Sequence, residues 1–594
     1  MKELIKKRIN DLRIVMQEKR LDAYIIYGTD PHLSEYTPAH WQTLPFISGF
    51  TGSAGMVIIS LTEAALWTDS RYFLQAEEQL SGTEIELVKM RVKGQPEPAK
   101  WLTIHLKSGS KVGADLECIS INQFREIDNI LRESNILLNW SGDLLNAIWP
   151  ERPTLPDFQV YEHELKYACT DRKTKIDVIC NELERLGADM QIITALDDIA
   201  WTFNLRGSDV ECNPVFLAYA YISRKKTVLF IESKKLSAVL LKKLKAEGIQ
   251  IKAYDEFHNI IHKLPSKSKI LLDLNKTNRA ILHSTPDSSK IIKELSVPCK
   301  LKAIKSEGEI QNIRQAMRKD GVAMLEFLFW MKNNLGKIPL TEYTVAEKLN
   351  EFRAKQHEFK GISFYPIVGY KEHGAIVHIH VTEENALTIE PDGFLLFDSG
   401  GHYLDGTTDI TRTIALSELT AQQKTDYTLV LKGMISLTLA KFPIGTRGYH
   451  LDILARKALW QHGLNYGHGT GHGVGYFLNV HEGPMSIRQE FNDQAIEAGM
   501  VISNEPGLYR SGEYGLRIEN MIVCLKDENT EFGDFLHFDT LTLCPIDTKG
   551  IDKKLMNKEE ISWLNSYHKR VFDELEPLVD GDLKVYLKEI SKAI

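Results

Sequence analysis

Apolar and polar positions alternate along this chain with two periods, and the switches between them predict its elements. The opening MKELIKKRINDLRIVMQEKR interleaves charged and apolar residues at helical spacing, which predicts an amphipathic helix. Leu21 to Ile26 is a short strand-like run, and the Gly-rich stretch Ser48 to Gly55 predicts a turn. Strands are expected at Met56 to Ser60 and Ala64 to Thr68, with a helix beginning at Asp69-Ser70-Arg71-Tyr72. Strands alternating with helices predict an α/β domain, ending near the proline-rich segment Trp149 to Pro156.

A related unit follows. Asp189-Met190-Gln191-Ile192-Ile193 aligns under Asp22-Ala23-Tyr24-Ile25-Ile26, and Thr227 to Ile231 echoes the strand before Asp69. This internal repeat predicts two copies of one α/β domain, the second closing near Lys300. Beyond Lys302 the texture changes: helices at Glu307 to Asn334 and Thr420 to Ala440 alternate with strands separated by glycines. Glu559 to Glu574 reads as a last amphipathic helix, where Trp563 and Tyr567 stand one turn apart at ordinary packing spacing. The expected domains are 1–155, 156–301, 302–548 and a helical extension 549–594, in an α/β (α+β) class.

Composition narrows the function without naming it. A 594-residue chain with 43% hydrophobic and 26% charged residues is ordinary for a folded soluble protein. A net charge of −8 gives no electrostatic reason to expect nucleic acid as partner, and lysine pairs such as Lys234-Lys235 read as solvated faces. The 7 cysteines include no CxxC and suggest no disulfide framework. The charged opening argues against a signal peptide, and no apolar run approaches the roughly 20 residues needed to cross a bilayer. The expectation is a cytoplasmic protein without a membrane partner.

The candidate chemistry lies between 394 and 519. The apolar run Phe394 to Phe397 ends in Asp398, and a carboxylate at the end of a buried strand needs a partner. Asp409 follows eleven residues later, and Gly400, Gly401 and Gly406 permit a hairpin that sets the two aspartates face to face. Each aspartate alone reads as a turn residue or helix cap; two held together need a proton or a cation between them. His468-Gly469-Thr470-Gly471-His472-Gly473-Val474-Gly475 is too glycine-rich for the helical HExxH metal site, and His481-Glu482-Gly483-Pro484 comes soon after. Two strands deliver glutamates: Val501 to Asn504 leads to Glu505, and Gly515 to Asn520 carries Arg517 and Glu519, two apart and therefore on one face. Asp398, Asp409, His472, Glu505 and Glu519 together offer four carboxylates and one imidazole, a set suited to hard or borderline divalent ions such as Mn²⁺.

In order and spacing these motifs resemble the pita-bread metallopeptidases: methionine aminopeptidase, prolidase and aminopeptidase P. The match runs through Asp398 and Asp409, HGTGHGVG, NVHEGP, NEPG and LRIEN. It is nearest the cytosolic three-domain Xaa-Pro aminopeptidases, because Trp67 to Ala76 and Asn204 to Val210 also match, outside the catalytic part. The resemblance implies two creatinase-like N-terminal domains before a pita-bread domain with a curved antiparallel sheet. It implies that Asp398, Asp409, His472, Glu505 and Glu519 bind two metal ions, commonly Mn²⁺. Asp409 and Glu519 would bridge the ions, Asp398 would bind one, and His472 and Glu505 the other. It marks His378, His468 and His481 as active-site histidines, Arg517 as a support for the carboxylates, and Glu505 as proton carrier for a hydroxide bridging the two metal ions. The implied activity is removal of an N-terminal residue standing before proline, by a homodimer acting on peptides with proline second. Prolidase and a metal-free binding module are the alternatives. One departure stands out: Asn504 occupies a place where relatives often carry aspartate.

Overall fold

The first helix forms as its charge pattern predicts. Lys2–Glu18 buries Ile5, Ile9, Leu12 and Met16 as one stripe, at spacings of three and four residues. In the computed structural model, which describes residues 1–594, this helix belongs to the first of two units. Residues 1–164 with 170–300 form one unit, and 165–169 with 301–594 form the other.

The first unit holds the predicted repeat as two sheets of the same plan. Strands Ile85–Lys89, Ala64–Thr68, Met56–Ser60, Ala23–Tyr27, Lys111–Ala114 and Leu137–Trp140 lie in that order in one six-stranded sheet. Ile249–Lys252, Lys226–Phe230, Tyr219–Ser223, Met190–Ile193, Lys269–Leu272 and Lys290–Lys293 lie in that order in the other. From edge to edge both run parallel, antiparallel, antiparallel, parallel, parallel. The repeat reaches individual side chains. Lys111 N–H donates to Asp22 Oδ2 and Lys269 N–H to Asp189 Oδ2, each at 2.7 Å. Ser120 and Asn278 cap the equivalent helices Ile121–Glu133 and Arg279–Ser284 by accepting from backbone N–H groups three residues on.

Two local expectations change. The helix predicted from Asp69 begins at Phe73, because the Asp69 carboxylate folds over Arg71. It accepts from Arg71 N–H at 3.1 Å and from the guanidinium at 2.8 and 2.7 Å, closing a turn instead of a helix. Of the lysine pair read as solvated, Lys235 is buried, with its ammonium 2.5 Å from the equally buried Asp209 carboxylate.

The second unit is antiparallel in its strands. Its long helix Glu307–Asn334 starts at a capping box, Ser306 with Glu309, and buries a continuous apolar face including Ile313, Met317, Met324 and Phe327. Ile367–Tyr370, Phe394–Ser399 and Ile410–Ala415 form a three-stranded sheet. A six-stranded sheet runs Lys441–Pro443, Gly533–Thr540, Asn520–Thr530, Val501–Asn504, Gly471–Gly473, Glu482–Ile487. Gly507–Arg510 and Tyr514–Arg517 make a separate hairpin. The predicted helices appear as Ala421–Thr438, capped by Thr420, and Lys558–Leu575, capped by Asn557.

Candidate metal centre

The two aspartates reach one another through strand pairing. Phe394–Ser399 lies antiparallel to Ile410–Ala415, with Asp398 opposite Thr411 and Ser399 opposite Ile410. The glycine-rich return between them is a detour. Gly401–Tyr403 and Gly406–Thr407 form their own hairpin in a second small sheet with Phe359–Ile362 before the chain delivers Asp409.

His472 and Glu505 arrive on neighbouring strands. A Cβ on Gly471 would stand 2.0 Å from the Ser503 carbonyl oxygen, so only glycine lets these segments lie so close. Glu505 N–H donates to Thr470 O at 2.8 Å, tying the glutamate to the histidine loop. His472 Nδ1 lies 2.9 Å from Gly473 O, which places its proton there and turns Nε2 towards carboxylates. Nε2 is 3.4 Å from both Asp409 Oδ2 and Glu505 Oε1. Glu519 differs from its expected setting. The strand ends at Arg517, and Glu519 occupies the corner before Asn520–Thr530, because its N–H donates to Thr411 O at 3.1 Å. Its carboxylate accepts from the Thr411 hydroxyl at 2.8 Å. One donor atom each from Asp409, His472 and Glu519 falls within 4.8 Å of the others.

Charge in this cluster is unbalanced. Burial raises the Asp398 carboxyl above the usual range, with Asp409 adding to the effect and Arg517 opposing it. Burial pushes Glu505 up to about 7, while its neighbour His472 pulls the other way. Glu519 is raised well above the carboxylate range, by burial and then by Asp409, Asp398 and Glu505. Burial works against a charged His472, but Asp409 and Glu505 outweigh it and push the imidazole up to about 9. Four carboxylates thus crowd a site with one fixed cation, Arg517. Asp398 Oδ1 is buried there with no hydrogen-bond partner. Oxygen-rich donors in excess of their counter-charges, with one oxygen unsatisfied, fit divalent cations.

The remaining predicted residues take up distinct places. Arg517 Nη2 donates to Asp398 Oδ2 at 2.7 Å, and its Nη1 donates to the Tyr509 hydroxyl at 2.7 Å. That hydroxyl lies 2.8 Å from His468 Nε2, and His468 Nδ1 lies 2.8 Å from Gly469 O. The directions follow from the Gly469 carbonyl, which can only accept and so holds the proton of a neutral His468 ring on Nδ1, and from the guanidinium, which can only donate. Tyr509 therefore passes its proton's hydrogen bond to His468 Nε2, and His468 donates from Nδ1 to Gly469 O. The His481 ring stands 4.4 Å from that of His472, edge to face. His378 lies on another segment, half-buried, three residues beyond the helical turn Lys371–Ala375. That turn is seated on the Arg517 strand: a Cβ on Gly515 would come within 1.6 Å of Gly374 O.

Asn504 points away from the cluster. Its amide donates to Met434 O at 2.8 Å and to the Thr438 hydroxyl at 2.9 Å, on the helix Ala421–Thr438. The departure at this position therefore leaves the carboxylate set untouched. Thr411 and Tyr509 were not legible as site residues: a threonine and a tyrosine on strands read as packing until their hydroxyl partners are known.

Known proteins match this chain along its length. Family models for the creatinase/prolidase N-terminal domain match residues 8–144 and 151–309, metallopeptidase family M24 matches 311–526, and the C-terminal region of peptidase M24 matches 534–594. Xaa-Pro aminopeptidase 1 of Dictyostelium discoideum is 37% identical over 98% of this chain and 94% of its own. A probable Xaa-Pro aminopeptidase P of Aspergillus fumigatus is 39% identical over 97% of this chain and 90% of its own. The crystal structure of X-prolyl aminopeptidase from Caenorhabditis elegans, described as a cytosolic enzyme with a di-nuclear active site, superimposes with a TM-score of 0.95. It is 32% identical and covers 99% of this chain and 100% of its own. With both N-terminal domains, the catalytic region and the C-terminal region present in order, the chain belongs to metallopeptidase family M24.

Proposed function

We propose that this chain is a metal-dependent Xaa-Pro aminopeptidase, an exopeptidase that hydrolyses the bond between an N-terminal residue and a following proline. The observation that carries the reading is the meeting of Asp398, Asp409, His472, Glu505 and Glu519 in one buried, carboxylate-rich cluster. The proline preference is supported by the names of relatives 37 to 39% identical over nearly the whole chain. The division into domains at 155, 301 and 548 belongs to the same proposal, supported by family-model limits at 8–144, 151–309, 311–526 and 534–594.

Asp398, Asp409, His472, Glu505 and Glu519 would hold two divalent ions, and the oxygen-rich donor set suits Mn²⁺. When bound, such a pair supplies a water of lowered proton affinity and Lewis acidity towards the peptide carbonyl. Glu505 takes the proton released as water adds to the carbonyl carbon and returns it to the departing proline nitrogen. His378 donates to the carbonyl oxygen as negative charge gathers there. His481, beside His472, orients the substrate on its proline side. His468 acts through Tyr509 and Arg517, steadying the Asp398 carboxylate. Proline offers no N–H, so a site shaped around its ring loses no bond that other aminopeptidases would need.

A cytoplasmic setting is supported by a cysteine pattern without CxxC pairs and by the description of the nematode enzyme as cytosolic. A homodimer belongs to the same proposal, on the resemblance to the three-domain Xaa-Pro aminopeptidases.

The test is a panel of proline-second peptides offered to metal-reconstituted enzyme, with every product identified. Release of the first residue from Xaa-Pro-Xaa peptides is expected. Cleavage confined to Xaa-Pro dipeptides would make the enzyme a prolidase instead, and no cleavage would leave a binding module.

A further inference from the structure

Arg412 is a buried cation whose hydrogen-bond partners are all neutral. It sits on the strand Ile410–Ala415, 1% exposed, and its guanidinium meets six oxygens. Nε donates to Pro545 O at 3.1 Å, and Nη1 to Thr411 O at 2.9 Å and Glu519 O at 2.5 Å. Nη2 donates to Asn520 Oδ1 at 2.8 Å, Cys544 O at 2.7 Å and the Tyr567 hydroxyl at 3.0 Å. Burying a guanidinium is costly unless its donors are satisfied, and here the fork is satisfied by oxygens from segments far apart in the chain.

What it joins is the backbone behind the metal-site carboxylates. Thr411 O accepts from Arg412 on one side and from Glu519 N–H on the other, at 2.9 and 3.1 Å. The Thr411 hydroxyl in turn donates to the Glu519 carboxylate at 2.8 Å and accepts from Arg517 Nε at 3.1 Å. The corner carrying Glu519 is thus fixed to the strand that follows Asp409, and one guanidinium grips both carbonyls.

The far side of that grip is the helix Lys558–Leu575. Tyr567 stacks on Trp563, its neighbour one turn away, as its spacing predicts, but its hydroxyl does more than pack. It accepts from Cys544 N–H at 3.3 Å as well as from Arg412, and lies 2.8 Å from Cys544 O. The next residue, His568, accepts from Ile546 N–H at 3.1 Å and feels the charge of the guanidinium without hydrogen-bonding to it.

We propose that Arg412 is a positioning residue for the metal-site carboxylates, and that the helix Lys558–Leu575 is coupled to that site through Tyr567 and Arg412. The proposal rests on the metal-binding reading above. Loss of the fork leaves charge, strand and core in place but frees the Glu519 corner. Metal affinity should fall while the apo fold survives.

The test compares wild type, Arg412→Lys, Tyr567→Phe and His568→Gln, each full-length and stripped with chelator. Mn²⁺ affinity is read by competition with a fluorescent chelator, and apo thermal melting is read alongside. Arg412→Lys is expected to lose 10- to 100-fold in Mn²⁺ affinity, the range typical when a group behind a ligand is removed. Its KM for a Xaa-Pro-Xaa peptide at saturating Mn²⁺ should stay unchanged. Tyr567→Phe, which keeps the stacked ring, should move affinity in the same direction by less, and it stands in if Arg412→Lys does not fold. His568→Gln should lower melting temperature without touching affinity. An Mn²⁺ affinity within twofold of wild type in both Arg412→Lys and Tyr567→Phe would overturn the proposal. So would an equal loss in His568→Gln, which would mean general loosening. Wild-type protein that takes up no Mn²⁺ would instead bring down the metal reading beneath it.

Discussion

Arg517 donates to one oxygen of Asp398 at 2.7 Å and leaves the other, Oδ1, buried without a partner. The arrangement holds a carboxylate in place while keeping one lone-pair face free for a cation. Arg517→Lys keeps the charge but loses the fork that also holds Tyr509. Metal affinity is expected to fall about 10- to 100-fold, with apo melting little changed. Isothermal titration with Mn²⁺ checks this, and unaltered affinity would remove Arg517 from its supporting role.

Glu482, next to His481, sits between two buried ammonium groups. Lys302 Nζ lies 3.2 Å from one carboxylate oxygen, and Lys305 contacts the other; all three side chains are at most 2% exposed. Removing the carboxylate leaves two like charges in the interior. Glu482→Gln is expected to destabilise this unit by about 3–5 kcal/mol, the usual loss when a buried pair loses a partner. Denaturant unfolding at neutral pH measures it; a loss below about 1 kcal/mol would mean the lysines find other compensation.

Asn504 donates its amide to Met434 O and Thr438, neither of which needs a negative charge. Asn504→Asp replaces that donor with a buried carboxylate. It is expected to cost about 1–3 kcal/mol in unfolding free energy while two metals still bind. Metal content and urea midpoints on the same samples check both halves. Loss of metal would place Asn504 nearer the cluster than its hydrogen bonds do.

His568 makes stability depend on pH. Its Nε2 accepts from Ile546 N–H at 3.1 Å, which only a neutral ring can do, and burial lowers its pKa from 6.5 to about 4. The unfolded chain binds a proton below pH 6.5 that the folded chain refuses until about pH 4. The contribution is whole above pH 6.5 and erodes as pH falls, reaching roughly 3 kcal/mol of loss near pH 4. His568→Gln should flatten that part of the profile in chemical unfolding between pH 7 and 4.5. An unchanged slope would assign the acid sensitivity elsewhere.

Much of this was legible in the sequence, for identifiable reasons. Helical spacing in the first twenty residues and the Asp22–Asp189 alignment exposed the N-terminal helix and the duplicated sheet, because both rest on local periodicity. Asp398, Asp409, His472, Glu505 and Glu519 were legible as chemistry because charges interrupt apolar strands and glycines crowd the histidines. Their meeting was not legible from the residues alone, since it depends on contacts such as Arg517 with Asp398 and Thr411 with Glu519, more than a hundred residues apart in the chain. The Asp69 turn and the buried Lys235 escaped because each is decided by a single side-chain partner. Tyr567 escaped for a related reason: its ring obeys packing spacing, while its hydroxyl finds Arg412 only in the folded chain.

The clustered carboxylates are best tested by metal stoichiometry. Chelator-stripped wild type and Asp409→Asn would be reloaded with Mn²⁺, freed of excess by gel filtration, and analysed by mass spectrometry for metal per chain. Two ions in wild type, and fewer in Asp409→Asn, are expected. Two ions in both proteins, or none in either, would contradict a cation pair held by Asp398, Asp409, His472, Glu505 and Glu519.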